Sequence, residues 1–123
     1  MKAKITSFAL LFVLLNSSFF ILNSEAQWQY CGIPGSNSVR SLAVSGNNIF
    51  AGTYEYGVFL STNNGTNWTQ TGLDDKTVHS LVISGNNIFA GTFLEGVYLS
   101  TNNGEWWSLK GLINKVVYSL AIS

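Results

Sequence analysis

Cysteine, proline, methionine and histidine each occur once in the 123 residues, and charged side chains make up only 10% of them. A lone cysteine, Cys31, excludes an internal disulfide. With no lysine or arginine near it in sequence to lower its pKa, it reads as an apolar residue rather than a reactive thiol. The lone histidine, His79, has no cysteine or acid at ligand spacing and reads as a surface or inter-repeat residue, not a metal ligand. Six basic residues balance six acidic ones, and Arg40 is the sole arginine, which argues against nucleic acid or an anionic membrane as partner. The sequence has no P-loop, no Gly-x-Gly-x-x-Gly opening a helix, and no nucleophile paired with a base. No catalytic, metal-binding or cofactor-binding residue is assigned, and no cofactor is expected.

The N-terminal 26 residues have the pattern of a secretory signal peptide. Lys2 and Lys4 precede an apolar run over 8–15 that resumes over 19–22, and Ser24-Glu25-Ala26 places small residues before a cleavage at Gln27. Asn16-Ser17-Ser18 divides the run into pieces well short of the roughly 20 residues a spanning helix needs, so no membrane span is expected after cleavage. Trp28-Gln29-Tyr30 before Cys31 is not a lipoprotein signal. The expected location is secreted or extracytoplasmic, in a periplasm or at a cell surface. Residues 27–123 carry Arg40, Lys76, Lys110 and Lys115 against Glu55, Asp74, Asp75, Glu95 and Glu105, a near-neutral balance.

What the chain has in quantity is repetition. Val39-Arg40-Ser41-Leu42 returns as Val78-His79-Ser80-Leu81 and as Val117-Tyr118-Ser119-Leu120, a period of 39 residues. Residues 39–77 and 78–116 align without a gap, with 24 of 39 positions identical. A fixed period of this length signals a solenoid, propeller or array, in which no unit buries its apolar face alone. Each repeat reads as four short strands (in the first, 40–44, 49–53, 58–61 and 68–71), with apolar spacing of 2 and punctuation by Gly and Asn. Four antiparallel strands in about 40 residues is the arithmetic of a β-propeller blade. The expected fold is all-β, a partial propeller: a leader over 1–26, an orphan outer strand and loop over 27–38, blades over 39–77 and 78–116, and an orphan inner strand over 117–123.

The turn before each fourth strand carries a motif. Ser61-Thr62-Asn63-Asn64-Gly65-Thr66-Asn67-Trp68 and Ser100-Thr101-Asn102-Asn103-Gly104-Glu105-Trp106-Trp107 resemble the Asp-box (BNR) repeat, Ser/Thr-x-Asp-x-Gly-x-x-Trp, of sialidases, sortilin-type receptors and photosystem II assembly-factor-like propellers. Asn63 and Asn102 stand where that motif has Asp. The amide oxygen can still accept backbone N–H bonds in an Asx-turn, though without the negative charge the turn should be weaker. Gly65 and Gly104 suit a positive φ, and Trp68 and Trp107 are expected to pack between blades while their indole N–H groups find acceptors. Asn64-Gly65-Thr66 and Asn67-Trp68-Thr69 also match the N-glycosylation pattern, but the turn accounts for them.

The ends fall out of step with a closed ring. Residues 28–33 align with 68–73, so the part after the leader starts with a fourth strand and ends in a first one. A ring usually takes 4–8 blades. Two readings stay open: a fragment of a longer gene, favoured by the stop inside a strand at Ser123, or self-assembly of several chains into one closed ring.

Comparing the repeats separates scaffold from freedom. Among the positions that differ are the loop 54–56 against 93–95, the Asp74-Asp75 pair against Ile113-Asn114, and the second residue of the first strand: Arg40, His79, Tyr118. In a propeller these share one face beside the central channel. The expected ligand face is therefore Arg40, Tyr54, Glu55, Tyr56, Asp74, Asp75, His79, Phe93, Glu95 and Tyr118. The favoured reading is a secreted, non-enzymatic propeller that binds a protein or glycan. A sialidase-like glycoside hydrolase is the alternative the motif implies, but the arginine cluster and Arg-Ile-Pro motif of such enzymes are absent. An assembly-factor-like structural protein is the third, since fold alone does not carry function.

Overall fold

The structure is a computed structural model that describes residues 32–35 and 38–123. The expected leader, Cys31 and most of the orphan outer strand lie outside the described residues. Eight strands form two sheets of four. β1 (Val39–Ser45), β2 (Asn48–Thr53), β3 (Val58–Ser61) and β4 (Thr69–Gln70) build one, and β5 (Val78–Ser84), β6 (Asn87–Thr92), β7 (Val97–Ser100) and β8 (Ser108–Gly111) the other. Each is an antiparallel meander in sequence order, and the two registers match residue for residue: Leu42 faces Ala51 as Leu81 faces Ala90. The chain is thus two neighbouring blades, a partial β-propeller.

The blades stack through their apolar faces. Phe50, Val58 and Leu73 of the first meet Val78, Leu81, Ile88 and Ala90 of the second in one buried cluster. Part of the far face of the first sheet is covered by Ile33, packed with Ala51, Phe59 and the half-buried Trp68, while Val39 and Leu42 stay exposed. Gly52 leaves room for both its own blade and the next: a Cβ there would run into the Ser41 hydroxyl and stand 2.7 Å from Val78 Cγ1. Gly91 holds the same relation to Val117, again at 2.7 Å. Residues 117–123 therefore begin where a third blade would. Val117 donates its N–H to the Thr92 carbonyl at 2.9 Å, but the segment forms no ladder among the described residues.

The Asn-containing turns take a single geometry. The buried Ser61 hydroxyl donates to Asn63 Oδ1 at 3.0 Å and accepts from the Gly65 N–H at 2.8 Å, while the Asn67 N–H donates to Asn63 Oδ1 at 2.9 Å. Ser100, Asn102, Gly104 and the Trp106 N–H repeat the set. Gly65 and Gly104 sit at φ 83° and 84°, where a side chain would be strained. The Trp107 indole N–H finds the Gly104 carbonyl at 3.0 Å, and Trp68 Nε1 has no partner among the described residues.

The fourth strand of the first blade is shorter than 68–71 suggests. Trp68 packs on the sheet face, Leu60 and Phe59 pair with Thr69 and Gln70, and the Thr71 N–H then donates to the Val58 carbonyl at 2.9 Å. The Gln70 side-chain amide takes over part of the work, donating to the Tyr56 carbonyl at 2.8 Å.

Candidate ligand cleft

Both first strands carry a bulge at the position where the repeats differ. The β1–β2 register slips between Val39 and Ser41, and the β5–β6 register between Val78 and Ser80, leaving Arg40 and His79 as the extra residues. A bulge bends its strand and re-aims the side chain it carries. Both side chains turn toward the loops that follow β2 and β6.

Those loops share one frame. Thr53 is fully buried and donates both its N–H (2.9 Å) and its hydroxyl (2.8 Å) to the Gly57 carbonyl. Thr92 does the same to Gly96. The clamp forces a tight loop in which Glu55 and Leu94 take φ of 65° and 61°. The frame is fixed by identical residues, so the side chains at 54–56 and 93–95 are free to differ. The Glu55 N–H is also tied to Thr77 Oγ1 at 3.1 Å, linking a loop of the first blade to the residue that leads into the second.

Arg40, Tyr54, Glu55, Thr77, His79, Phe93 and Tyr118 line one open cleft of about 480 Å³ at this end of the sheets. The Arg40 guanidinium lies 4.9 Å from the Tyr54 ring centroid, a cation–π contact. The His79 ring stands 4.9 Å from that of Tyr118, tilted, and 6.1 Å from that of Phe93, edge-on. Its Nε2 is buried with no partner among the described residues. Burial first, and the Arg40 charge second, push the His79 pKa below its ordinary value, so the ring is neutral at pH 7.

Six of the ten residues expected on the ligand face meet in this cleft: Arg40, Tyr54, Glu55, His79, Phe93 and Tyr118. Four do not line it. Tyr56 turns toward Gly35, whose Cβ would lie 3.6 Å from Tyr56 Cε1. Glu95 is drawn away by Lys76, which it pairs with at 2.9 Å, and it accepts a hydrogen bond from the Tyr98 hydroxyl at 3.3 Å. The hydrogen bond from Lys76 to the Glu95 carboxylate holds the Lys76 pKa above its ordinary value, opposed by partial burial. Asp74 and Asp75 remain exposed, with Asp75 at φ 49° in the turn before β5. Thr77 is the lining residue that sequence reasoning missed. The signal was present, because its counterpart in the second repeat is Val116 and the pair differs as the other lining pairs do.

No family model and no curated protein matches the chain. Among solved structures, one described as YCF48 bound to D1 peptide is similar to it, at 21% identity and a TM-score of 0.46. The match covers 56% of this chain and 24% of that one, so it spans well under half of the other protein's length.

Proposed function

We propose that this chain is an exported, non-enzymatic propeller-repeat protein that binds a segment of a partner protein in the cleft between its two blades, as a scaffold or assembly factor would. The observation that supports this is the convergence on one cleft of side chains that differ between otherwise near-identical repeats. The scaffold does not need Arg40, Tyr54, His79, Phe93 or Tyr118 to be what they are, since the same frame carries a different residue at the matching place. A cleft lined by aromatic rings with one guanidinium offers stacking area, a cation for a carboxylate, and little else that must be desolvated. A glycan generally needs several carboxylate or amide groups to grip its hydroxyls, and the lining holds one carboxylate, Glu55. Glycoside hydrolysis needs a pair of them.

The test is a peptide array beside a glycan array, probed with the protein and with Arg40→Ala, Tyr54→Ala and Phe93→Ala. The expected outcome is binding to peptides that carry an acidic and an aromatic residue. Each variant should lose roughly tenfold or more in affinity, about the 1.4 kcal/mol or more of a contributing interface side chain, with an unchanged circular dichroism spectrum. Binding that none of the three substitutions weakens, or binding to glycans only, would overturn the reading.

A further inference from the structure

The interface between the blades has two halves, and each half also occurs once uncovered. Inside the chain, Val78 (0% exposed) and Leu81 (6%) of the second blade close over Phe50 and Leu73 (3%) of the first. At the same register in the other repeat, Val39 is 48% exposed, Leu42 61% and Leu112 59%. Phe89 and Val97 match the fully covered Phe50 and Val58, yet both remain half-buried. The difference is not one of residue type. Leucine stands at 42, 81, 73 and 112, valine at 39, 78, 58 and 97, and phenylalanine at 50 and 89. Only the neighbour differs.

We propose that these two uncovered faces dock a second copy of this chain, head to tail, by the same displacement that relates the first blade to the second. The face of Val39 and Leu42 on one copy then meets the face of Phe89, Val97 and Leu112 on the next. The contact is the internal blade–blade interface made between chains. Such an interface is heterologous: its two sides are different surfaces, so it builds a ring when the rotation closes. At two blades per chain and 4–8 blades per ring, closure takes about two to four copies.

The C-terminal segment fits the same scheme. Val117 occupies the slot over Gly91 that Val78 occupies over Gly52. Residues 117–123 share Val, Ser, Leu, Ala and Ser with β1 at matching places. β1 of an incoming copy replaces the segment with a near-identical strand, and it brings β2 behind it, including Ile49, whose counterpart Ile88 is buried in the internal interface. The exchange gains apolar burial because the displaced segment has no sheet behind it. Ile33 of the incoming copy yields in the same way to the turn carrying Leu112.

The test is the mass in solution of the protein expressed from the full sequence, measured by light scattering over a range of concentrations, with two variants. Leu42→Arg charges one face and Leu112→Arg the other. Both side chains are solvent-exposed in the single chain, so both variants fold, which circular dichroism checks. The expected result is a discrete oligomer for the parent and a monomer for each variant alone. Mixed one to one, the variants form a dimer and nothing larger, because one intact pair of faces remains between them. A parent that is monomeric at every concentration would overturn the proposal. So would variants that leave the mass distribution unaltered, or a mixture that stays monomeric.

Discussion

The imidazole of His79 lies between the rings of Phe93 and Tyr118, with its Nε2 buried. The folded protein therefore resists protonating it, whereas the unfolded chain takes up a proton near the ordinary pKa of 6.5. Because the folded pKa is the lower of the two, stability from this group is complete above 6.5 and is lost as pH falls from 6.5 toward the folded value. Thermal denaturation between about pH 7 and pH 5.5, where few carboxylates titrate, should show the midpoint dropping, and His79→Phe should flatten that slope. Asn63 gives a second residue-scale expectation. Its Oδ1 accepts from both the Ser61 hydroxyl and the Asn67 N–H. Asn63→Ala should cost about 1–2 kcal/mol in urea denaturation, and Asn63→Asp should add roughly 0.5–1 kcal/mol at neutral pH through charge-assisted bonds. This turn was legible because every group in it lies within a few residues. The cleft was legible only in part. A difference between repeats reveals that a position is free, not where its side chain ends up, and so Tyr56, Asp74, Asp75 and Glu95 were grouped with residues they do not join. The bulges at Arg40 and His79 left no trace in the spacing, since a bulge is a property of two strands in register.

At the scale of the elements, the two sheets are near copies placed in unlike surroundings. Phe50 on β2 is 1% exposed beneath the second blade, while Phe89 on β6 remains half-buried. Phe50→Ala should therefore destabilise by about 3–5 kcal/mol, the range for a fully buried aromatic. Phe89→Ala should cost roughly half of that in a chain held monomeric, as expected from partial apolar burial. Equal costs from chemical denaturation would mean that the second sheet's open face is as well covered as the first. The period of 2 in the sequence located seven of the eight strands closely, because buried and solvent-facing positions alternate along them. It overran at β4, where Trp68 leaves the ladder to cover Ala51 and Phe59. Side chains that look alternating in sequence cannot declare which of them folds back over the sheet.

For the molecule as a whole, the largely exposed stretch 118–123 and the interior of the blade pair should differ sharply in amide hydrogen exchange. Backbone groups of β2 and β6 are paired on both sides, and those strands carry the largest fully buried side chains. Their amides should exchange only on global unfolding, whereas those of 118–123, which belong to no ladder, should exchange orders of magnitude faster. Protection of 118–123 to the level of β5 would show that this segment is a structural strand in its own right. The repeat made the architecture readable from sequence, because one blade predicts its neighbour. Solvent exposure was not readable in the same way, since identical residues in the two repeats end up covered or bare according to what stands next to them.

The position that holds Arg40, then His79, then Tyr118, bulged in the two complete repeats, has an evolutionary consequence. In the two complete repeats this slot accepts a cation or an imidazole while the ladder around it stays the same, and the matching place in 117–123 holds a phenol. Selection can rewrite the cleft's lining one repeat at a time without renegotiating the fold, and a duplication of the repeat supplies a new slot already aimed into the cleft.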